Sequence, residues 1–373
     1  LNYDFVLLDE AQDCNPAIAQ VVASQSCARI LVGDSHQSIY GFLGAQDVMH
    51  GRSSGRENLG TAGGRIFSRQ LTRSFRFGPN VADVANFLLR RLKFEPCPVL
   101  GCGRHEGMIL QGIAAADADS GPLAGCPAPP FTYVARTNSA VLDMALRADE
   151  ARLEVIWVGG VRGYRLGLLR DICLLALGDK DQVESARVRA FPSLDAMQGF
   201  ASRVEDREFL ARIKLVRRYT PGELLERLSR LQAAAERHEG IGGSSPAATN
   251  KTATAARRGE AHVSVATVHK AKGLEWDTVV LADDFPSLED LAAGHVRGGG
   301  EDGFDDSGGE VSHGVVLQEI NALYVAVTRA ARALQLPPAF GAAYARDAEA
   351  AALVEPGDAD VGGPCPMCGD AAA

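Results

Sequence analysis

Short apolar runs alternate with helical patterns through most of the chain, which is the pattern of a parallel α/β sheet. In the first part, the strands are predicted at Phe5–Leu8 and residues 30–32, with a helix over Pro16–Ala23 between them. Pro16 suits the first turn of that helix, because proline already has a helical φ angle and lacks the N–H that would go unbonded there. A second helix is predicted over residues 81–92, after a loop at 51–64 that is rich in Gly, Ser and Arg.

The α/β pattern continues, and two other kinds of sequence interrupt it. Residues 179–238 are charged and have apolar residues at helical spacing, which predicts a helical insertion, and residues 240–259 have a linker composition. An acidic, Gly-rich stretch at 294–309 is a second interruption. Around them we predict strands at 131–134, 155–158, 263–267 and 279–281, and helices at 166–177 and 317–334.

Composition restricts the class of protein and its partners. Hydrophobic residues make up 46% and charged residues 23% of 373 residues, which are ordinary values for folded domains and leave room for two or three of them. No apolar run approaches the length of about 20 residues that spans a bilayer, so no membrane partner is expected. The net charge of −9 gives no overall attraction to nucleic acid, and any DNA contact must come from a local basic surface.

The chain begins at Leu1 and enters the strand Phe5–Leu8 almost at once. A strand of a parallel sheet is usually flanked by neighbours, so we expect that further sequence precedes Leu1 in a longer protein.

Two carboxylates follow the first strand. Asp9 and Glu10 stand at its carboxyl end, where open α/β sheets bind their ligands. In nucleotide hydrolysis one carboxylate holds Mg²⁺ while the other orients and deprotonates the attacking water. The alternative is an ordinary helix start, because acidic residues are favoured in a first turn.

The segments LLDEAQD and GDSHQSIYGFLGA, in that order, resemble motifs II and III of the UvrD/Rep/PcrA helicases of superfamily one. The resemblance implies that Asp9 binds Mg²⁺, that Gln37 senses the γ-phosphate, and that Tyr40 and Phe42 meet single-stranded DNA. The alternative for both aromatic residues is a place in the core. Many family members have arginine at the position of Leu43, so we expect that a contact to phosphate or base is missing here.

The segment LTRSFR resembles motif IV, which usually ends in Tyr-Arg. The resemblance implies that the ring of Phe75 stacks on adenine and that Arg76 reaches the γ-phosphate. Arginine there would neutralise the charge that develops in the transition state, as an arginine finger does.

Near the end of the α/β pattern, TVHKAKGLEWD resembles motif V, and INALYVAVTRA resembles motif VI. The family assigns Thr267 and His269 to DNA, Gly273 to coupling beside the nucleotide, and Glu275 to the ribose. Arg329 would be a second γ-phosphate arginine. Three shorter matches occur in the order expected for the family: the ARTN segment at 135–138, the GG pair at 159–160 and the Asp-Ile pair at 171–172. The resemblance assigns Arg136, in the first of these, to DNA.

The resemblance implies an α/β fold with two RecA-like P-loop NTPase domains, the first incomplete and the second with a helical insertion. The best match within the family is the F-box DNA helicase branch. Domain bounds are therefore predicted at 1–95 for the first domain, 96–178 and 261–336 for the two parts of the second, 179–260 for the insertion and linker, and 337–373 for a disordered tail.

The family also implies an activity, that of an ATP-dependent DNA helicase that moves 3′ to 5′ and uses ATP and Mg²⁺ as cofactors. Its substrates would be single-stranded DNA or single/double-strand junctions, and its role would be in recombination or repair. Localisation would be the nucleus in a eukaryote, and protein partners would bind through an N-terminal region.

One motif of such a motor is absent from the sequence. No G-x-x-x-x-G-K-[ST] loop occurs in the 373 residues, so the site for the β- and γ-phosphates is incomplete. We therefore expect the chain by itself to be inactive. A helicase-like fold kept as a DNA-binding or protein-interaction module is the alternative. Cys365 and Cys368 have half of a zinc spacing, but tetrahedral zinc needs four ligands, and Mg²⁺ is the one metal expected.

Overall fold

The computed structural model describes residues 3–49, 67–112, 121–241, 261–294 and 313–353. The strands within these ranges are β1 (Phe5–Leu8), β2 (Ala28–Leu31), β3 (Arg73–Ser74), β4 (Leu100–Gly101), β5 (Met108–Gln111), β6 (Phe131–Ala135), β7 (Glu154–Trp157), β8 (His262–Thr267), β9 (Trp276–Leu281) and β10 (Ala330–Leu336). The α-helices are α1 (Pro16–Ala23), α2 (Pro79–Leu88), α3 (Asn138–Glu150), α4 (Leu166–Leu177), α5 (Ala186–Arg189), α6 (Leu194–Arg203), α7 (Arg207–Arg218), α8 (Pro221–Ile241), α9 (Val268–Ala271), α10 (Leu288–Ala293), α11 (His313–Val327) and α12 (Pro338–Leu353). The predicted α/β class is confirmed.

The chain divides into two compact units that are discontinuous in sequence. Unit 1 comprises the described parts of Leu1–Glu106, Pro286–Thr328 and Ala343–Ala373. Unit 2 comprises those of Gly107–Phe285 and Arg329–Ala342. The discontinuity was expected, but α11 groups with unit 1 by its contacts, whereas its sequence lies in the predicted second domain. The domain bounds given above stay predictions.

In unit 1, β1 and β2 pair in parallel, with Phe5 opposite Ala28 and Leu8 opposite Leu31. Helix α1 connects them, and Asn15 caps it by accepting a hydrogen bond of 2.9 Å from the amide of Ile18. Among the described strands β1 pairs only with β2, and its Phe5 side chain is 58% exposed. The parallel pairing brings the polar segments after both strands to one edge.

Helix α2 is the most buried helix of the first hundred residues and continues directly into a five-residue π-helix, Leu89–Lys93. We predicted one helix over 81–92. Asn86 of α2 is buried, and its amide group makes two hydrogen bonds with the backbone of Val99, of 2.8 and 2.9 Å. Helix α11 packs against α2 and against a 3₁₀ turn at Ser35–Gln37.

Unit 2 contains a six-stranded parallel sheet with the order β5-β10-β9-β6-β8-β7. The central strands β6 and β8 are buried along most of their length, as strands covered on both faces are. The core continues into the predicted helical insertion, because α7 and α8 pack on α3 and α4. Asp171 of α4 is buried and accepts backbone hydrogen bonds from Glu184 and Ser185, which fixes the start of the insertion.

The predicted helix over 317–334 is wrong in its second half. Helix α11 ends at Val327, and Ala330–Leu336 forms strand β10, which pairs with β9 on one side and β5 on the other. Alanine-rich sequence favours a helix, but hydrogen bonding to two neighbouring strands outweighs that propensity.

The C-terminal region also differs from the prediction of a disordered tail over 337–373. Residues 338–353 form helix α12, which has Pro338 in its first turn and many alanines after it. Tyr344 of this helix packs edge-on against Phe87, with 5.6 Å between ring centroids. Cys365 and Cys368 lie outside the described residues, as do most of the predicted linker and the loop at 51–64. No helix in the described ranges could cross a membrane, since none combines the necessary length with a sufficiently apolar sequence.

Candidate nucleotide-binding and DNA-binding residues

The two carboxylates after β1 lie in a tightly bent segment. Glu10 has a φ of 51°, a left-handed conformation that is uncommon for residues other than glycine. Its amide donates to the Asp9 carboxylate at 3.0 Å, and its own carboxylate accepts a 2.6 Å hydrogen bond from Nε2 of Gln12. Gln12 is buried and also accepts from the amide of Asp34, at 3.1 Å. One amide side chain therefore joins the segment after β1 to the segment after β2.

The segment after β2 is organised by Asp34. One oxygen of its carboxylate accepts the amide of His36 at 2.9 Å, and the other accepts Nε2 of Gln37 at 2.8 Å. A continuous series of hydrogen bonds thus runs from Glu10 through Gln12 and Asp34 to Gln37. We had predicted Glu10 and Gln37 as site residues but had not assigned Gln12 and Asp34, although both lie inside the motifs that identified the others.

Tyr40 and Phe42 follow on the same loop, with 6.2 Å between their ring centroids. Phe42 is 56% exposed, so the alternative place in the core does not apply to it. Tyr40 is partly buried, and burial, followed by the nearby charges of Asp13 and Glu10, raises the pKa of its hydroxyl. Leu43 is 68% exposed on the same 3₁₀ turn. The loop therefore presents an aromatic and an aliphatic side chain to solvent.

Phe75 and Arg76 follow strand β3. The Phe75 ring is 78% exposed and available for stacking. Nη1 of Arg76 lies 3.5 Å from the carbonyl oxygen of Thr328, at the outer limit of a hydrogen bond. All predicted site residues up to Arg76 thus belong to unit 1.

A second polar cluster, which we did not predict, joins α11 to the Ser35–Gln37 turn. Nδ2 of the buried Asn321 donates to the carbonyl oxygens of Ser35 and Ser38, and its Oδ1 accepts from Nζ of Lys93. Burial lowers the pKa of Lys93 to about 8, although the charges of Asp34, Glu95 and Asp47 favour its protonated form. No motif in the sequence marks Lys93.

The pKa of Lys93 makes a prediction about stability. Between pH 8 and its ordinary value of 10.5, the unfolded chain holds a proton that the folded chain has lost, so the contribution of Lys93 to the free energy of unfolding rises with pH. The gain is at most about 3 kcal/mol. Urea unfolding at pH 7.5 and 10 should therefore show a larger rise for the wild type than for Lys93→Met. Lys214→Met, at an exposed position on α7, is the control and should keep the wild-type rise. Equal rises in the wild type and Lys93→Met would contradict the burial of this ammonium.

In unit 2, strand β8 leads into a segment that carries four predicted site residues. Thr267 ends the strand and is buried, and His269 lies in α9. Gly273 has a φ of 80°, which glycine adopts without steric cost, and the exposed Glu275 follows it. The same segment contains Lys270, whose Nζ lies 3.5 Å from the ring centroid of Tyr164. Burial lowers the pKa of Lys270 to about 8.

Arg329 and Arg136 are the remaining predicted site residues of unit 2. Arg329 is buried, and its Nη1 donates to the carbonyl oxygen of Leu274 at 3.2 Å, within the motif V segment. Arg136 follows β6, where Asp284 accepts its amide at 2.9 Å. Burial raises the pKa of the Asp284 carboxyl, against hydrogen bonds from Arg136 and Thr137 that lower it. Arg136 thus lies at the carboxyl end of β6, whereas Arg329 directly precedes the amino end of β10.

The chemistry of the donor groups fits a magnesium nucleotide only in part. Asp9 offers an exposed carboxylate at a strand end, and Mg²⁺ is commonly held by one or two carboxylates together with phosphates and water. No cluster of three or more His, Cys, Asp or Glu side chains suited to a metal occurs among the residues that the structure describes. Asp9 would hold the ion, and the phosphates would have to supply further ligands.

Two kinds of comparison find known proteins that are similar to this chain. Residues 1–50 match the UvrD/REP helicase N-terminal domain, and residues 247–337 match the UvrD-like helicase C-terminal domain. The chain is 30% identical over 345 residues to F-box DNA helicase 1 of Gallus gallus, an alignment that covers 89% of this chain and 29% of the relative. It is 29% identical over 350 residues to F-box DNA helicase protein 1 of Schizosaccharomyces pombe, covering 92% of this chain and 35% of the relative. The chain thus spans about a third of the length of these relatives.

The matched ranges contain the segments that we identified as motifs II and III near the start and as motifs V and VI near the end. The predicted resemblance to UvrD-type and F-box DNA helicases is confirmed by both kinds of comparison. Two segments of the chain are thus similar to UvrD-like helicase domains, and most of its length is similar to F-box DNA helicases.

Proposed function

We propose that the chain forms the catalytic and DNA-binding part of an ATP-dependent helicase that moves 3′ to 5′ on single-stranded DNA in recombination or repair. The observation that carries this proposal is the series of hydrogen bonds from Glu10 through Gln12 and Asp34 to Gln37. It joins the residue that would activate water to the residue that would sense the γ-phosphate. A change at one of them can therefore reach the other.

In this proposal, each of the predicted catalytic residues has one role in ATP hydrolysis. Glu10 orients the attacking water and takes its proton, while Gln37 contacts the γ-phosphate. Arg76 and Arg329 balance the negative charge that grows on the transferred group.

Other residues bind the nucleotide. Phe75 stacks on adenine, and Glu275 and Gly273 lie beside the nucleotide. Mg²⁺, held by Asp9, neutralises phosphate charge when it is bound.

DNA binding is assigned to exposed or strand-end residues. Base stacking on an aromatic ring tolerates any sequence, which suits a protein that moves along a strand. Phe42 has the exposure that stacking needs, with Tyr40 beside it. Arg136, Thr267 and His269 would contact the same kind of substrate, either a single strand or a junction between single and double strands. Residues outside the chain would recruit protein partners, and the activity would take place in the nucleus.

Replacing Phe42 by alanine should weaken binding of a single-stranded oligonucleotide by about 1–3 kcal/mol, because one stacked base loses its platform. Fluorescence anisotropy at fixed salt measures this change. Phe94→Ala is the matched control, since Phe94 is an 85% exposed phenylalanine of unit 1 outside all the motifs. If both variants bind as the wild type does, Phe42 has no part in DNA binding.

A binding module without catalysis is the second candidate, favoured by Leu43 and by the missing phosphate-binding loop. The two candidates differ in ATP turnover by an extended chain, by which we mean the chain joined upstream of Leu1 to a segment that carries a G-x-x-x-x-G-K-[ST] loop. The helicase proposal predicts phosphate release that single-stranded DNA stimulates. The binding module predicts DNA binding without phosphate release.

A further inference from the structure

The Ser35–Ser38 loop carries Gln37, and its conformation depends on groups outside the loop. Ser35 and Ser38 stand on either side of His36 and Gln37, and their carbonyl oxygens both accept from Nδ2 of Asn321, at 3.1 and 2.8 Å. Asn321 is 1% exposed, so water cannot replace these hydrogen bonds without opening the structure. A single amide group therefore holds both ends of the loop.

The other side of the same amide is also engaged. Oδ1 of Asn321 accepts from Nζ of Lys93 at 2.8 Å, which fixes the orientation of the amide with its N–H groups toward the loop. Lys93 projects from the π-helix that follows α2, and π-helices are frequent at functional sites. The charge of Lys93 also interacts with that of Asp34, whose carboxylate accepts from Gln37. Asn321 thus holds the loop at its backbone, and Lys93 acts on the loop through the amide of Asn321.

Two further contacts join the same elements. The ring of Tyr324, three residues after Asn321 on α11, meets the ring of His36 edge-on with 5.8 Å between centroids. Nε2 of His36 lies 3.4 Å from a carboxylate oxygen of Glu95, two residues after Lys93. Helix α11 therefore contacts the loop through Asn321 and Tyr324, and the segment after α2 contacts it through Glu95. All these residues belong to unit 1.

We propose that Asn321 and Lys93 are positioning residues that hold the Ser35–Ser38 loop, and with it Gln37, in the conformation used to sense the γ-phosphate. The proposal rests on the function proposed above for Gln37. It makes α11, which carries the motif VI sequence, a support of the motif III loop. Asn321 does not touch the nucleotide in this scheme, and its loss should lower the rate of hydrolysis more than the affinity for ATP.

The test compares Asn321→Asp with a matched control, Asn86→Asp. Aspartate keeps the size of asparagine and can still accept from Lys93, but it cannot donate to the two carbonyl groups. Asn86 is likewise a buried asparagine of unit 1 with two backbone hydrogen bonds, yet it contacts Val99 and not the loop. Any general loss of stability caused by a buried carboxylate in unit 1 should therefore appear in both variants.

The first readout is hydrogen exchange of the backbone amides of His36 and Gln37, which needs no ATP. Both amides bond to Asp34 in the wild type. We expect their exchange to be about tenfold faster in Asn321→Asp and in Lys93→Met, and unchanged in Asn86→Asp. Equal exchange at these amides in the Asn321 and Asn86 variants would overturn the proposal. If Asn321→Asp does not fold, Lys93→Met decides by the same comparison.

The second readout is steady-state ATP hydrolysis by the extended chain. Asn321→Asp should lower kcat by about tenfold, or about 1.4 kcal/mol in activation free energy, with little change in KM for ATP. An equal loss in Asn86→Asp, or a loss confined to KM, would overturn the positioning role. An inert wild type would contradict the proposed function, and hydrogen exchange would still decide whether Asn321 and Lys93 hold the loop.

Discussion

Replacing Arg76 by alanine in the extended chain is expected to slow ATP turnover by about 10³-fold while leaving nucleotide binding largely intact. The arginine would neutralise charge that is greater in the transition state than in bound ATP, so kcat should fall more than affinity. In the structure its guanidinium makes a hydrogen bond of 3.5 Å to the carbonyl oxygen of Thr328, which a stronger phosphate acceptor could displace. Single-turnover phosphate release, with binding of a fluorescent ATP analogue measured in parallel, separates the two effects.

The control for this variant is Arg73→Ala, which removes an exposed arginine from the adjacent strand β3. Arg73→Ala should retain nearly full turnover. Near-normal turnover in Arg76→Ala would remove Arg76 from the catalytic residues.

Arg329→Ala is expected to have an effect of the same size, for the same electrostatic reason. Because this arginine is buried and donates to the carbonyl of Leu274, its loss should also lower stability. Thermal unfolding must therefore accompany the kinetics. Arg332→Ala serves as the control at a 55% exposed position on strand β10, which begins directly after Arg329. A stable Arg329→Ala variant with normal turnover would show that this guanidinium has a structural task only.

Much of the fold follows from local sequence signals that tertiary contacts do not oppose. Helix α4 has the predicted bounds, because a continuous apolar pattern ends at Gly178, which adopts the left-handed conformation that terminates helices. The strands β6 and β8 were predicted to within one residue at each end, since they are largely apolar, β-branched or aromatic segments of strand length. Signals of this kind act over a few residues and can be identified without knowledge of partners.

Strand β10 shows where such signals fail. Its sequence, AARALQL, favours a helix, and its strand conformation depends on β5 and β9, which are distant in sequence. The prediction for helix α12 was wrong in a different way, because we expected disorder where an alanine-rich stretch forms a helix. Its ordering depends in part on Tyr344 packing against Phe87, a contact between positions far apart in the chain.

The residues of the candidate site could likewise be predicted from the sequence only in part. The resemblance to helicase motifs pointed to Glu10, Gln37 and Arg76, because each motif is a continuous stretch of sequence. It did not identify Lys93 or the task of Asn321, whose significance depends on the distances to the Ser35–Ser38 loop. A lysine at the end of a helix is ordinarily a solvated charge, and only the folded chain shows that this one is half-buried.

The missing phosphate-binding loop leads to the prediction with the largest effect. Hydrolysis requires backbone N–H groups and a lysine that hold the β- and γ-phosphates before Glu10 and the arginines can act. The sequence contains the second set of residues and not the first. Without the loop we expect no turnover, and with it we expect turnover that DNA stimulates.

The most direct test measures phosphate release by the chain Leu1–Ala373 and by the extended chain, each with and without single-stranded DNA. A third protein, the extended chain with its loop lysine replaced by alanine, sets the background. We predict background release by the chain alone and DNA-stimulated release by the extended chain. Robust turnover by Leu1–Ala373 alone would contradict this account of the phosphate site. An extended chain that folds and binds DNA but releases no phosphate above background would contradict the helicase proposal and favour the binding module.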